Sequence, residues 1–175
     1  MRRRWIERAL ARHRAELAGE HPWGDAGQFG LAILFGVVWT ADTFFLHYTI
    51  FLNRHVPPAV RLLLALVFLC ASGYLAQRGI SVVFGEPREK AGVIERDVYG
   101  LVRHPIYLSE ILLYLGFLML SLSLAAVAIW LVAILFLYYI SCYEERLLVE
   151  RFGKAYEEYR REVPMWIPRP WEQSR

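Results

Sequence analysis

Residues 106–140 form a run of thirty-five with Glu110 as the only charge, a length of apolar side chain that lipid solvates better than water. A hydrocarbon core of roughly 30 Å takes about 20 apolar residues per helical crossing. Thirty-five is too many for one crossing and fits two, so the run predicts a tight helical hairpin broken near Ser121-Leu122-Ser123. Two more runs of spanning length precede it. One covers residues 29–52, interrupted by Asp42 and His47, and the other covers 59–76, after the breaker pair Pro57-Pro58. A chain of 175 residues that is 57% hydrophobic has too little polar surface to cover a water-soluble globule. The expected fold is all-α: an integral-membrane helical bundle with transmembrane helices at 29–52, 59–76, 105–121 and 124–143, the last two forming a C-terminal helical hairpin.

Orientation follows from Lys and Arg, which cytoplasmic loops retain. Eighteen of the 20 fall before the first span, between the second and third, or after the fourth; only Arg54 and Arg61 lie in or beside the other connection between spans. Four crossings with both termini in the cytoplasm are therefore expected, with 144–175 as a cytoplasmic, helical tail. Residues 1–20 are too charged for a secretory signal peptide. With Ile6, Leu10 and Leu17 set against arginines, they read either as a basic arm lying on the anionic membrane surface or as a disordered one. Cys70 and Cys142 fall at different expected depths, which argues against a disulfide, and no metal-ligand spacing occurs. The net charge of +3 reflects topology and gives no reason to invoke nucleic acid. No repeat or linker divides the chain, so 1–175 reads as one domain. Its oligomeric state is not legible.

A charge inside a bilayer costs at least about 2.5 kcal/mol, so intramembrane ionisable residues mark function first. Asp42, His47 and Glu110 lie within the spans, and Glu144 with Glu145 sits at the inner boundary. Asp42 and His47 are five residues apart and face different ways; no dyad is expected, and Asp42 reads as hydrogen-bonded inside the bundle or as an early helix end. At about 100 degrees per residue, Arg103, Tyr107, Glu110 and Tyr114 share one stripe of the third span. Pro105 suits a first helical turn, where its missing N–H costs nothing. A hairpin with arms of similar length returns Glu144-Glu145 to the depth of Arg103-His104. Carboxylates, tyrosines, Arg and His gathered there form a ligand site suited to S-adenosylmethionine, which presents a sulfonium, a zwitterion and a ribose diol. Other anionic or zwitterionic ligands fit the same inventory.

Taken together, Val102-Arg103-His104-Pro105-Ile106-Tyr107, the pair Glu144-Glu145, and Phe152-Gly153-Lys154-Ala155-Tyr156-Glu157-Glu158-Tyr159 with Val163-Pro164 and Pro168 resemble the isoprenylcysteine carboxyl methyltransferase and phospholipid methyltransferase superfamily. The resemblance covers residues 99–168. It implies S-adenosylmethionine-dependent methyl transfer to a lipophilic or lipid-linked acceptor, with the cofactor held by Tyr99, Arg103, His104, Tyr107, Glu144, Glu145, Tyr156 and Tyr159. Glu145 or Glu110 could serve as the base for an amine acceptor. Phe152, Tyr156 and Tyr159 also fit a packed helix face.

Two positions depart from the superfamily pattern. Ser109 stands where its glycine is expected, and Tyr138, Tyr139 and Ile140 stand where prenylcysteine enzymes tend to carry an arginine. The second weakens carboxyl methylation and leaves the acceptor undetermined. Two other readings of the same residues stay open. Membrane sterol-type reductases also place Arg-His-Pro-x-Tyr before a membrane helix and bind a nicotinamide dinucleotide there, and a non-catalytic scaffold would use the acidic residues as interhelical contacts.

Overall fold

The computed structural model describes residues 24–84 and 92–168; the basic arm expected at 1–20 lies outside them. Helix α1 (Gly24–Thr40) continues into a π-helical turn (Ala41–Leu46), followed by a 3-10 turn (Phe51–Arg54) and helix α2 (Pro58–Phe84). A second 3-10 turn (Asp97–Gly100) leads into α3 (Pro105–Ser121), α4 (Leu124–Phe152) and α5 (Lys154–Glu162). The described residues form helices and no strands, and three of the helices are long and apolar enough to cross a membrane. Leucines, valines and phenylalanines project outward along α1, α2 and α4, as lipid contact requires and water would not tolerate.

The hairpin break falls where the sequence places it. Helix α3 ends at Ser121, Leu122 takes the left-handed conformation at φ 46°, and α4 starts at Leu124. Ser123 caps α4, its hydroxyl accepting the Ala126 N–H at 3.2 Å. At 17 residues α3 is shorter than the continuous apolar helical stretches Gly24–Leu46, Pro58–Val83 and Leu124–Phe152.

The other expected boundaries move. The first helix spans Gly24–Leu46 rather than 29–52, because Asp42 ends it. Asp42 Oδ1 accepts the N–H groups of Tyr48 and Thr49 at 3.0 and 3.1 Å, and Oδ2 accepts the hydroxyls of Thr49 and, at 2.6 Å, Ser123. His47, left-handed at φ 56°, donates its N–H to the Asp42 carbonyl at 2.9 Å. Asp42 is therefore both buried inside the bundle and the end of a helix, and it ties the first connection to the hairpin turn. Helix α2 runs past residue 76 to Phe84, and α4 runs past residue 143 to Phe152. Leu147, Leu148 and Val149 continue the helix after the charges begin; a hydropathy run marks where lipid contact stops and not where helix stops.

Helices α2 and α3 pack antiparallel along most of their length. The approach is close because Gly116 faces Leu69 and the Ala65 carbonyl, where a Cβ would come within 2.7 Å of the leucine, and because Gly79 faces Ile106. Ser109 does not obstruct this contact. Its hydroxyl turns back to the Ile106 carbonyl at 2.6 Å, and its own carbonyl accepts the Ser72 hydroxyl at 2.7 Å. Helix α1 crosses α4 at Gly27, against which the Phe136 ring lies. The core joins Phe35, Tyr114, Leu118, Ala126 and Ala133, with Phe35 stacked on Tyr114 at 4.4 Å. Indole N–H groups of Trp39 and Trp130 reach across helices to the carbonyls of Phe117 and Ile111, both at 3.0 Å.

Candidate functional site

At the end of the bundle opposite Asp42, the start of α3 meets the charged turn of α4. Pro105 opens α3, and the two preceding residues stay extended enough to pair with another segment. The partner is the chain after α5: the Arg103 N–H donates to the Pro164 carbonyl at 2.9 Å and the His104 N–H to the Met165 carbonyl at 3.3 Å. Proline can accept but not donate, so this strap pairs through its carbonyls. Arg103 holds it a second time, because Nη1 donates to the carbonyls of Arg160, at 3.1 Å, and Val163.

Across the hairpin, Arg103 Nε donates to Glu145 Oε1 at 2.8 Å. The same oxygen lies 3.3 Å from His104 Nε2, while His104 Nδ1 lies 3.8 Å from Glu144 Oε2, so the imidazole sits between the two carboxylates. Tyr107 donates its hydroxyl to Glu144 Oε1 at 2.6 Å and stacks on His104 with centroids 5.5 Å apart. Neighbouring glutamates on a helix point about 100 degrees apart; here they straddle one imidazole, Glu145 on the arginine side and Glu144 on the tyrosine side. Arg103 and Glu145 have side chains 9% and 7% exposed, so this pair interacts in a medium where water screens little.

The tail tyrosines are buried against this cluster. Tyr156 and Tyr159 meet edge to face at 5.7 Å. Burial pushes both phenols well above the usual tyrosine range, with the nearby Glu145 carboxylate adding to the effect at Tyr156. Tyr159 donates its hydroxyl to the Tyr99 carbonyl at 2.8 Å, which binds α5 to the 3-10 turn. That turn is itself held to α2 by the Arg78–Asp97 ion pair. The packed-face expectation for this tail is thus met at Tyr156 and Tyr159, and Tyr99 enters through its backbone. Phe152 is half-buried, with the Arg151 guanidinium 5.2 Å from its ring centroid.

Of the expected site residues, Arg103, His104, Tyr107, Glu144 and Glu145 form one hydrogen-bonded group, with Tyr156 beside it and Tyr99 and Tyr159 bracing its edge. Glu110 stands apart. It accepts the Tyr114 hydroxyl of its own helix at 2.6 Å, and Tyr114 leads into the Phe35 core rather than toward the glutamate pair. Two residues of the neighbourhood escape a reading from sequence: Trp166, whose indole N–H is buried without a partner, and Ser141, whose hydroxyl is likewise buried and unpaired one turn before Glu145. Periodicity could not find Trp166 in a non-helical strap; the Val163-Pro164 pair before it was the available signal. Among the described residues no cluster of three or more His, Cys, Asp or Glu could hold a metal ion.

An all-helical membrane protein with a buried Arg-His-Tyr-Glu-Glu group closed by its own C-terminal strap is the class that fold and site define. The sequence profile of the phospholipid methyltransferase family matches residues 59–155. The chain belongs to that family. It is 34% identical over 117 residues to a Schizosaccharomyces pombe protein-S-isoprenylcysteine O-methyltransferase, covering 59% of this chain and 48% of that protein. It is also 38% identical over 85 residues to methanethiol S-methyltransferase 2 of Bradyrhizobium diazoefficiens, covering 45% of this chain and 29% of that protein. The chain thus spans about half or less of the length of these curated relatives. No solved structure matches it significantly.

Proposed function

We propose that this chain is an S-adenosylmethionine-dependent integral-membrane methyltransferase acting on a lipophilic acceptor. In this reading it crosses the bilayer four times, α3 included, with both termini and the polar cluster on the cytoplasmic side, where the Lys and Arg residues concentrate. The observation that carries the proposal is the meeting of Arg103, His104 and Tyr107 with Glu144 and Glu145, 37 to 42 residues later, at one mouth of the hairpin. The two relatives, one named for O-methylation and one for S-methylation, agree on methyl transfer and differ in acceptor.

The residues present fit the cofactor. The Glu144 carboxylate suits a diol or an ammonium, and aromatic rings at Tyr107 and Tyr156 suit a cation. When bound, the cofactor supplies a methyl group already activated on its sulfonium, so the protein mainly aligns the acceptor and excludes water. Glu144 with Tyr107, and His104 between the carboxylates, bind and orient. Glu145 keeps Arg103 and His104 in register and is placed to take a proton from an acceptor that must lose one. Glu110 is a second candidate for that role only if Tyr114 releases it. Tyr99, Tyr156 and Tyr159 close the pocket by fixing α5 over it.

Membranes containing the protein, incubated with methyl-labelled S-adenosylmethionine and extracted with organic solvent, test the reading. Label in the lipid fraction, absent from membranes lacking the protein, is expected. Label confined to the aqueous phase would reject a lipophilic acceptor.

A further inference from the structure

We propose that Trp166, Ser141 and Tyr138 form the acceptor subsite, and that it takes a lipophilic molecule presenting an uncharged heteroatom in preference to a carboxylate. This rests on the methyltransferase reading above and adds the class of acceptor to it.

Tyr138, Ser141 and Glu145 stand at i, i+3 and i+7 and so share one face of α4. That face passes from Glu145, buried in the polar cluster, through Ser141, which has no exposed surface, to Tyr138, which is 53% exposed on the lipid side. Trp166 closes it from the strap: its ring meets Tyr138 edge-on, centroids 6.1 Å apart at 74°. The hydrogen bond from the His104 N–H to the Met165 carbonyl pins the preceding residue beside the cluster. The track therefore joins lipid to the carboxylate placed nearest the chemistry.

Two donors on this track have no partner. The Ser141 hydroxyl and the Trp166 indole N–H are both buried without a hydrogen bond, whereas most of their polar neighbours are paired. Buried donors left unpaired cost stability, and native structures keep few of them. Two of them flanking one path are explained by a ligand atom that accepts from them.

Their chemistry selects the ligand. Indole N–H and serine hydroxyl are neutral donors, good partners for a neutral oxygen, sulfur or nitrogen. An ionised carboxylate taken out of water needs a cation, and among the described residues no Lys or Arg side chain pairs with Ser141 or Trp166. No Lys or Arg occurs between Arg103 and Arg146, and Arg103 is committed to Glu145 and to the Arg160 and Val163 carbonyls.

The test uses the full chain in phosphatidylcholine nanodiscs loaded with S-adenosylhomocysteine, titrated calorimetrically with 1-octanethiol and with octanoate, which share a chain length and differ in head group. Saturable octanethiol binding at least tenfold tighter than octanoate is expected. Trp166→Phe, which keeps an aromatic ring but removes the N–H with part of the indole, is expected to weaken octanethiol about fivefold and leave S-adenosylhomocysteine affinity unchanged. Ser141→Ala removes a hydroxyl that bonds to nothing in the protein, so the fold survives, and it is expected to weaken octanethiol in the same direction. Octanoate binding as tight as octanethiol would overturn the proposal, as would octanethiol binding that is absent or that neither variant alters. Failure of the wild-type protein to take up S-adenosylhomocysteine would instead overturn the methyltransferase reading.

Discussion

Arg103 Nε and Glu145 Oε1 lie 2.8 Å apart across forty-two residues of sequence, and the same guanidinium holds the carbonyls of Arg160 and Val163. One side chain thus joins both arms of the hairpin to the strap that covers them. Lysine at this position keeps the charge and loses the fork that reaches three acceptors. Arg103→Lys is expected to lower stability by about 2 kcal/mol, the scale of the charged hydrogen bonds to the Arg160 and Val163 carbonyls that a single ammonium no longer reaches. It is also expected to expose residues 160–168 to protease. A strap as resistant as in the wild type would show that Arg103 does not hold it.

In the proposed reading, the two glutamates divide binding from proton transfer. Glu144 bonds to Tyr107 and Glu145 to Arg103 and His104. Glu144→Gln is expected to weaken S-adenosylhomocysteine binding about tenfold. Glu145→Gln is expected to abolish methyl transfer to an acceptor that must lose a proton while leaving cofactor affinity within a fewfold. Loss of cofactor binding in Glu145→Gln would make that residue a binder and not a base.

At the far end of the bundle, Asp42 ties the first connection to the hairpin turn. Asp42→Asn replaces the oxygen that accepts the Thr49 and Ser123 hydroxyls with an amide nitrogen, which donates and cannot accept. A loss of about 2 kcal/mol is expected, the worth of a hydrogen bond to a charged group. The thermal midpoint should fall while S-adenosylhomocysteine affinity stays the same. A changed affinity with an unchanged midpoint would tie Asp42 to the site.

Close approach of α2 and α3 depends on Gly116, where a Cβ would meet Leu69 at 2.7 Å. Gly116→Val is expected to cost about 2 kcal/mol through overpacking, read as a lower thermal midpoint. Gly73→Ala, where nothing lies within 4 Å of the added Cβ, serves as the control and should leave the midpoint unchanged or raise it slightly. Equal effects would mean that the helices do not meet at Gly116.

Burial raises the Tyr156 and Tyr159 phenols, so the folded state favours their protonated forms. Their contribution is complete below the ordinary tyrosine value of about 10 and is lost as pH rises above it. Stability should therefore fall above about pH 10, and Tyr156→Phe should flatten that fall. Phenolate absorbance from all ten tyrosines appearing together near the ordinary value would contradict their burial.

Much of the arrangement can be read from the sequence, for identifiable reasons. Thirty-five residues with one charge leave a hairpin as the economical packing, and equal arms bring residues 144–145 level with residue 103; the break at Leu122 and the shared depth follow, but not which glutamate Arg103 takes. Asp42 was legible as either buried or helix-ending, and it is both. The extension of α4 to Phe152 was hidden because hydropathy registers lipid and helix propensity crosses the boundary without a mark. Glu110 shares the stripe of Arg103 and Tyr107 by helical angle, but angle does not say that Tyr114, one turn away, takes its carboxylate. The strap was hidden most fully: its hydrogen bonds use backbone carbonyls, which every residue has, so no side-chain pattern announces them.

Calorimetric titration of the full chain in nanodiscs with S-adenosylhomocysteine and, separately, with NADPH, for the wild type and His104→Ala, tests most directly whether the cluster at the hairpin mouth is a methyl-donor site. The prediction is saturable S-adenosylhomocysteine binding, weakened at least tenfold by His104→Ala, and no NADPH binding. NADPH binding without S-adenosylhomocysteine binding, or S-adenosylhomocysteine affinity unmoved by His104→Ala, would contradict it.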